Sequence, residues 1–157
     1  MAPDADLEKS LTPRCRRAVE FAGNTYPGLG SESVTSVHLL LGLRSLKGGV
    51  ASNLLGLADI TFEKAEDYIA QHADYREPFR VSGHINVGQS ASNAILRAEK
   101  EADDLQHTLV GTEHLLLAIL EERVGPAGAF FGFFQIDRAE MARRIRKELG
   151  SEPLARP

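Results

Sequence analysis

The sequence predicts an all-α fold of eight helices, a tandem duplication of a four-helix repeat with a pseudo-twofold relation. Three observations carry that prediction. Val34-Thr35-Ser36-Val37-His38-Leu39-Leu40-Leu41-Gly42-Leu43 returns as Val110-Gly111-Thr112-Glu113-His114-Leu115-Leu116-Leu117-Ala118-Ile119, displaced by 76 positions. The same displacement, with no gap, sets Ala18 on Ala94, Ala22 on Ala98, Gly49 on Gly125, Gly56 on Gly132, Ile60 on Ile136 and Ile69 on Ile145. Within each copy the apolar residues recur at helical spacing, as in Cys15, Ala18, Val19 and Ala22.

Each element has a local reason. The first helix opens at Thr12-Pro13, a hydroxyl cap followed by a proline whose missing N–H costs nothing there. Asn24 to Ser33 is a loop rich in Gly, Pro and Ser. The second helix follows Ser36; its three consecutive leucines cannot share one face, so it is expected to be buried on most sides. Gly48-Gly49 breaks it, a third helix covers about Val50 to Leu55, and a fourth begins at Thr61. The second copy repeats the plan as Ser90–Leu105, Glu113–Glu122, Ala127–Phe134 and Arg138–Leu149, with Asp137 and Glu140 as a capping box for the last.

The expected organisation is a flexible amino terminus (1–9), repeat 1 (10–73), a linker (74–88), repeat 2 (89–149) and a flexible carboxyl terminus (150–157), the two repeats forming one domain. The linker lacks helical period and is expected to be extended around Phe79-Arg80-Val81.

Composition bounds the function. A chain of 157 residues buries roughly 70% of its unfolded surface and needs no metal or disulfide to fold. A single cysteine, Cys15, and no signal-like start point to a cytoplasmic protein. No apolar stretch approaches the ~20 residues that span a bilayer. A net charge of -4 and a basic cluster (Arg138, Arg143, Arg144, Arg146, Lys147) interleaved with Glu140 and Glu148 argue against nucleic acid as partner. His38 and His114 stand at equivalent positions before the leucines and read as buried residues fixing loop to helix, and Cys15 as inert packing. No metal site, cofactor or catalytic set is expected. Thr112 reads first as an N-cap and Glu113 as a first-turn acid that the helix dipole favours. Phe130-Phe131-Gly132-Phe133-Phe134 is the densest aromatic stretch; part aligns with Leu54-Leu55 as core, and the surplus is a candidate partner patch.

Leu11-Thr12-Pro13-Arg14, the 25-residue step from Pro13 to His38, and Gly111-Thr112-Glu113-His114-Leu115-Leu116-Leu117 resemble the Clp amino-terminal repeat. The likeness spans about residues 10 to 149 and is nearest to the N-domain of ClpC-type Hsp100 unfoldases, the ATPases that feed ClpP-type proteases. It implies a non-enzymatic docking module whose partners are Clp ATPase or protease components, adaptor proteins or tagged substrates. No Gly-x-x-x-x-Gly-Lys-[Ser/Thr] occurs, so no ATP hydrolysis is expected, whether the chain is free-standing or a piece of a larger unfoldase. The resemblance further implies phosphoarginine recognition through the glutamate of the Gly-Thr-Glu-His string, here Thr112 and Glu113. The first-copy equivalents are Ser36 and Val37, and valine accepts no guanidinium hydrogen bond. Gly88-Gln89-Ser90 stands where Thr-Pro-Arg is usual, so at most one half of a two-site recognition is expected to survive. The alternatives are a structural or assembly accessory subunit, or a decoy that sequesters peptides or N-domain-directed cyclic peptide antibiotics.

Overall fold

A computed structural model of the chain describes residues 10–151, so the expected flexible stretches 1–9 and 152–157 lie outside the described residues. Among the described residues are eight α-helices: α1 (Pro13–Thr25), α2 (Ser36–Ser45), α3 (Val50–Leu57), α4 (Phe62–Gln71), α5 (Gln89–Asp104), α6 (Thr112–Leu120), α7 (Pro126–Phe133) and α8 (Arg138–Ser151). A 3-10 turn at Pro27–Leu29 follows α1, and the linker forms strands β1 (Phe79–Ser82) and β2 (Ile85–Gly88). The last helix therefore continues through Gly150 and Ser151, two residues placed in the flexible tail by sequence.

Helix starts follow the capping chemistry. Thr12 Oγ1 accepts the Cys15 N–H at 3.1 Å, Thr61 Oγ1 accepts the Lys64 N–H at 3.1 Å, and Asp137 Oδ1 accepts the Glu140 N–H at 3.0 Å. At α2 and α6 the caps fall one residue earlier than expected, at Thr35 and Gly111. Thr112 is thus the first helical residue rather than an N-cap, because His114 does the capping. His38 Nδ1 accepts the Thr35 N–H and His114 Nδ1 accepts the Gly111 N–H, both at 2.9 Å. The two histidines are the loop-to-helix fasteners their positions suggested.

The duplication extends to the backbone. Left-handed residues recur in register: Gly30 with Gln106, Gly49 with Gly125, and Asp59 with Gln135. The turn after α3 bonds Asp59 N–H to Gly56 O and Ile60 N–H to Leu55 O; the turn after α7 repeats both with Gln135, Gly132, Ile136 and Phe131. At the centre lie α2 and α6, whose Leu39–Leu41 and Leu115–Leu117 are fully or almost fully buried, as three leucines in a row require. Helix α2 packs on α1, α3 and α4 of its own copy and on α5, α6 and α7 of the other. Helix α6 mirrors this, packing on α5, α7 and α8 and on α1, α2 and α3. The two repeats share one hydrophobic core.

The linker is more ordered than its composition suggests. β1 and β2 pair antiparallel from Phe79 opposite Gly88 to Ser82 opposite Ile85, around a two-residue turn where Gly83 takes the left-handed conformation. Ile85 packs against Gly23 of α1, and the Tyr26 hydroxyl accepts the Asn86 N–H at 3.0 Å.

Candidate functional site

The copies are joined crosswise, and this decides which residues share a site. Leu11 bridges Val110 in parallel: the Thr12 N–H donates to Val110 O (2.9 Å) and the Val110 N–H to Ser10 O (2.7 Å). Val87 bridges Val34 in the symmetric arrangement, with Gly88 N–H on Val34 O and Val34 N–H on Asn86 O, both 2.8 Å. The opening of each copy's first helix is therefore seated beside the central helix of the other copy. Sequence reasoning noted the departures in the two copies separately. The departures it noted, Val37 and Gly88-Gln89-Ser90, fall together at one seat, while Glu113 and Leu11-Thr12-Pro13-Arg14 fall together at the other.

At the second-copy seat Glu113 lies half-buried in the first turn of α6 and accepts a bond from Thr112 Oγ1 at 3.1 Å. A Cβ placed on Gly111 would be 3.5 Å from Glu113 Oε1 and 3.9 Å from Thr12 Cγ2, so the two side chains flank one glycine. Arg14, from the same opening, donates to Gly48 O at 2.8 Å, just ahead of α3. Burial, seconded by the Glu113 charge, pushes the Cys15 thiol up to about 12, which keeps it inert. His114 is held down to about 4 by burial and by His107, with Glu113 pulling the other way. Since its Nδ1 accepts the Gly111 N–H, its Nε2 faces His107 Nδ1 at 2.8 Å as donor. That pairing was not foreseen, because the two histidines sit on different elements.

The first-copy seat is built from the same backbone but closed. Ser36 is fully buried and Val37 is 2% exposed. The Ser36 N–H donates to Ser90 Oγ at 2.9 Å, and Ser90 Oγ donates to Glu77 Oε2 at 2.9 Å. Ser36 Oγ donates to Glu122 Oε2 at 2.9 Å. The same carboxylate oxygen accepts the Ala127 N–H at 2.7 Å and the Gly128 N–H at 3.3 Å, capping α7. Glu122 is 5% exposed, and its equivalent in the first copy is Leu46. Glu32, five residues before Val37 in the loop, pairs with Arg76 at 3.2 Å. Sequence reasoning missed Glu77 and Glu122; the substitution of Leu46 by Glu122 between copies was the available signal.

The phenylalanine patch narrows. Phe130 and Phe131 are fully buried and serve as core, like Leu55 in the first copy, so neither is available to a partner. Phe133 is 62% exposed and Phe134 half-buried. Tyr68 of α4 packs against Phe130, Phe133 and Phe134 with ring centroids at 5.0, 5.4 and 6.0 Å. Among the described residues no group of three or more His, Cys, Asp or Glu is placed to hold a metal ion, and no helix is long and apolar enough to cross a membrane.

The sequence pattern of the Clp repeat (R) N-terminal domain matches residues 10–132. The chain belongs to this family. It is 31% identical over 149 residues to a probable ATP-dependent Clp protease ATP-binding subunit of Chlamydia pneumoniae, covering 95% of this chain and 18% of that protein. It is 28% identical over 145 residues to the ATP-binding subunit ClpC of Staphylococcus saprophyticus, covering 92% of this chain and 17% of that protein. The chain thus spans less than a fifth of these curated relatives. In fold it resembles the N-terminal domain of ClpD from Arabidopsis thaliana, with TM-score 0.75 and 19% identity over 91% of this chain and 96% of that one. The Hsp104 N-terminal domain from Candida albicans superposes with TM-score 0.68 at 16% identity, over 91% and 93%. These two show the shared all-α Clp N-domain fold.

Proposed function

We propose that this Clp N-domain is a non-catalytic binding module that receives tagged substrates or adaptors for a Clp unfoldase–protease, and that it reads phosphoarginine at the second-copy seat alone. The observation that carries the reading is the meeting of Glu113, in the first turn of α6, with the intact Thr12–Arg14 opening. Unpaired N–H groups and the positive end of a helix dipole suit a phosphate. A carboxylate beside them suits a guanidinium, and a phosphoguanidinium carries both charges. At the first-copy seat Val37 offers no acceptor and the Glu122 carboxylate already holds the nearby α7 amino terminus, so a second anion meets like charge.

Calorimetric titration with free phosphoarginine tests this. The expected result is saturation near one equivalent in the wild type and loss of that heat in Glu113→Ala. Unchanged binding in Glu113→Ala, or none at millimolar ligand, overturns it. A second reading, partner assembly through the aromatic face, rests on the exposure of Phe133. Size exclusion of Phe133→Ser decides it, since loss of a complex with helicity retained supports assembly and an unchanged profile rejects it.

A further inference from the structure

Beside the closed first-copy seat lies a pocket of about 140 Å³. Val37 lies at the α2 side, Tyr68, Ile69 and His72 come from α4 and its end, Tyr75 from the linker, and Gly125-Pro126 from the start of α7. The walls are mainly apolar and aromatic, and Tyr68 and His72 stack with centroids at 4.0 Å. Two carboxylates stand behind those walls. Tyr75 donates its hydroxyl to Glu77 Oε1 at 2.8 Å, and a Cβ on Gly125 would be 2.8 Å from Glu122 Oε2. After burial, both carboxylates raise the pKa of the Tyr75 phenol, which places both within electrostatic reach of the pocket. Among the described residues no Lys or Arg lines it, the nearby Arg76 is paired with Glu32, and His38 stays neutral because burial holds it at about 4.

We infer that this pocket binds the side chain of an unphosphorylated arginine. Its alkyl stem lies against Val37 and Ile69, and its guanidinium lies on the exposed ring of Tyr75 within the field of Glu77 and Glu122. The complementarity runs opposite to that of the other seat. There the ligand brings the phosphate; here the protein's own carboxylates occupy the anionic role, leaving room for the cationic half alone. The inference stands apart from the phosphoarginine reading, since it uses none of Thr112, Glu113, Thr12 or Arg14.

The probe is N-acetyl-arginine amide, followed by the ring signals of Tyr68 and Tyr75 in a carbon–proton correlation spectrum; Tyr26, buried under the hairpin, is the internal reference. N-acetyl-norleucine amide serves as the neutral control. The expected result is saturable shifts of both rings with the arginine probe, weakened by added salt and far smaller with norleucine. Tyr75→Leu, at a position 41% exposed, is expected to weaken binding roughly five- to ten-fold, the scale of a partly desolvated cation–π contact. Val37→Lys is expected to abolish it by placing a cation in the pocket, with circular dichroism checking the fold. Glu113→Ala leaves these shifts unchanged while removing phosphoarginine binding, which separates the two proposals. Equal binding of the norleucine amide, absence of shifts with the arginine probe, or full binding in Tyr75→Leu overturns the inference.

Discussion

The amino termini of α2 and α6 occupy equivalent places in two copies of one repeat, yet the side chains that meet each helix start differ. At α2 the helix's own Ser36 is engaged by Ser90 and Glu122 of the opposite copy, with Glu77 of the linker behind Ser90, so the helix start is satisfied from within. At α6 the first turn carries Glu113, half-buried, with Thr112 as its hydroxyl partner. The backbone pairing that builds both seats is the same to within a tenth or two of an ångström in its hydrogen bonds. Duplication has therefore kept the frame and let the chemistry diverge. A seat built from both copies changes when either contribution differs, and at the first-copy seat both differ from their counterparts, Val37 for Glu113 and Gly88-Gln89-Ser90 for Thr12-Pro13-Arg14.

The largest expected effect comes from making the copies alike at the seal. Glu122→Leu, which installs the residue found at Leu46, removes the buried acceptor of the Ser36 hydroxyl and of the Gly128 N–H and leaves the Ala127 N–H with Ser36 Oγ alone, at 3.1 Å. Stability in urea is expected to fall by about 2–3 kcal/mol, the cost of leaving buried partners of a charged group unmet. A loss below about 0.5 kcal/mol would mean that the seal is incidental.

The two capping histidines give a pH test of the symmetry. His38 and His114 are each lowered from 6.5 to about 4, chiefly by burial. Between these values the unfolded chain binds more protons than the folded one, so stability is fully present above about pH 6.5 and is lost as pH falls toward 4. Each histidine contributes a slope of up to about 1.4 kcal/mol per pH unit. His38→Asn and His114→Asn are each expected to remove one share of that slope in urea titrations run between pH 4 and 7. If one variant flattens the curve alone, the copies do not use their histidines equally.

The smallest effect concerns the left-handed turn before each central helix, where the first copy has Gly30 and the second Gln106 at φ 61°. Gln106→Gly relieves that conformation and is expected to stabilise by a few tenths to about 1 kcal/mol in thermal melts. A destabilisation there would show that the Gln106 side chain contributes more than the strain costs.

Much of the fold was legible because it is local. Helix periods, the caps at Thr12 and Asp137, the helix start at Thr61 and the 76-residue echo follow from local residues and spacing. His38 and His114 were placed correctly because one role had to explain both. The crosswise seating of Leu11 on Val110 and Val87 on Val34 was not legible, since nothing local specifies which copy an opening strand joins. For the same reason the sealing role of Glu122 and the His107–His114 contact escaped, each pairing residues from separate elements. The split of the phenylalanines into buried Phe130 and Phe131 and exposed Phe133 depends on which face of α7 meets Tyr68, a tertiary fact.

The most direct measurement is a backbone amide shift map during titration with phosphoarginine. A single crosswise seat predicts that the amides of Thr12, Arg14 and Cys15 and of Gly111–Glu113 move together with one dissociation constant, while those of Ser36, Val37 and Gly88–Ser90 stay still. Movement at Ser36 and Gly88–Ser90, or at Gly111–Glu113 without Thr12, Arg14 and Cys15, would contradict it.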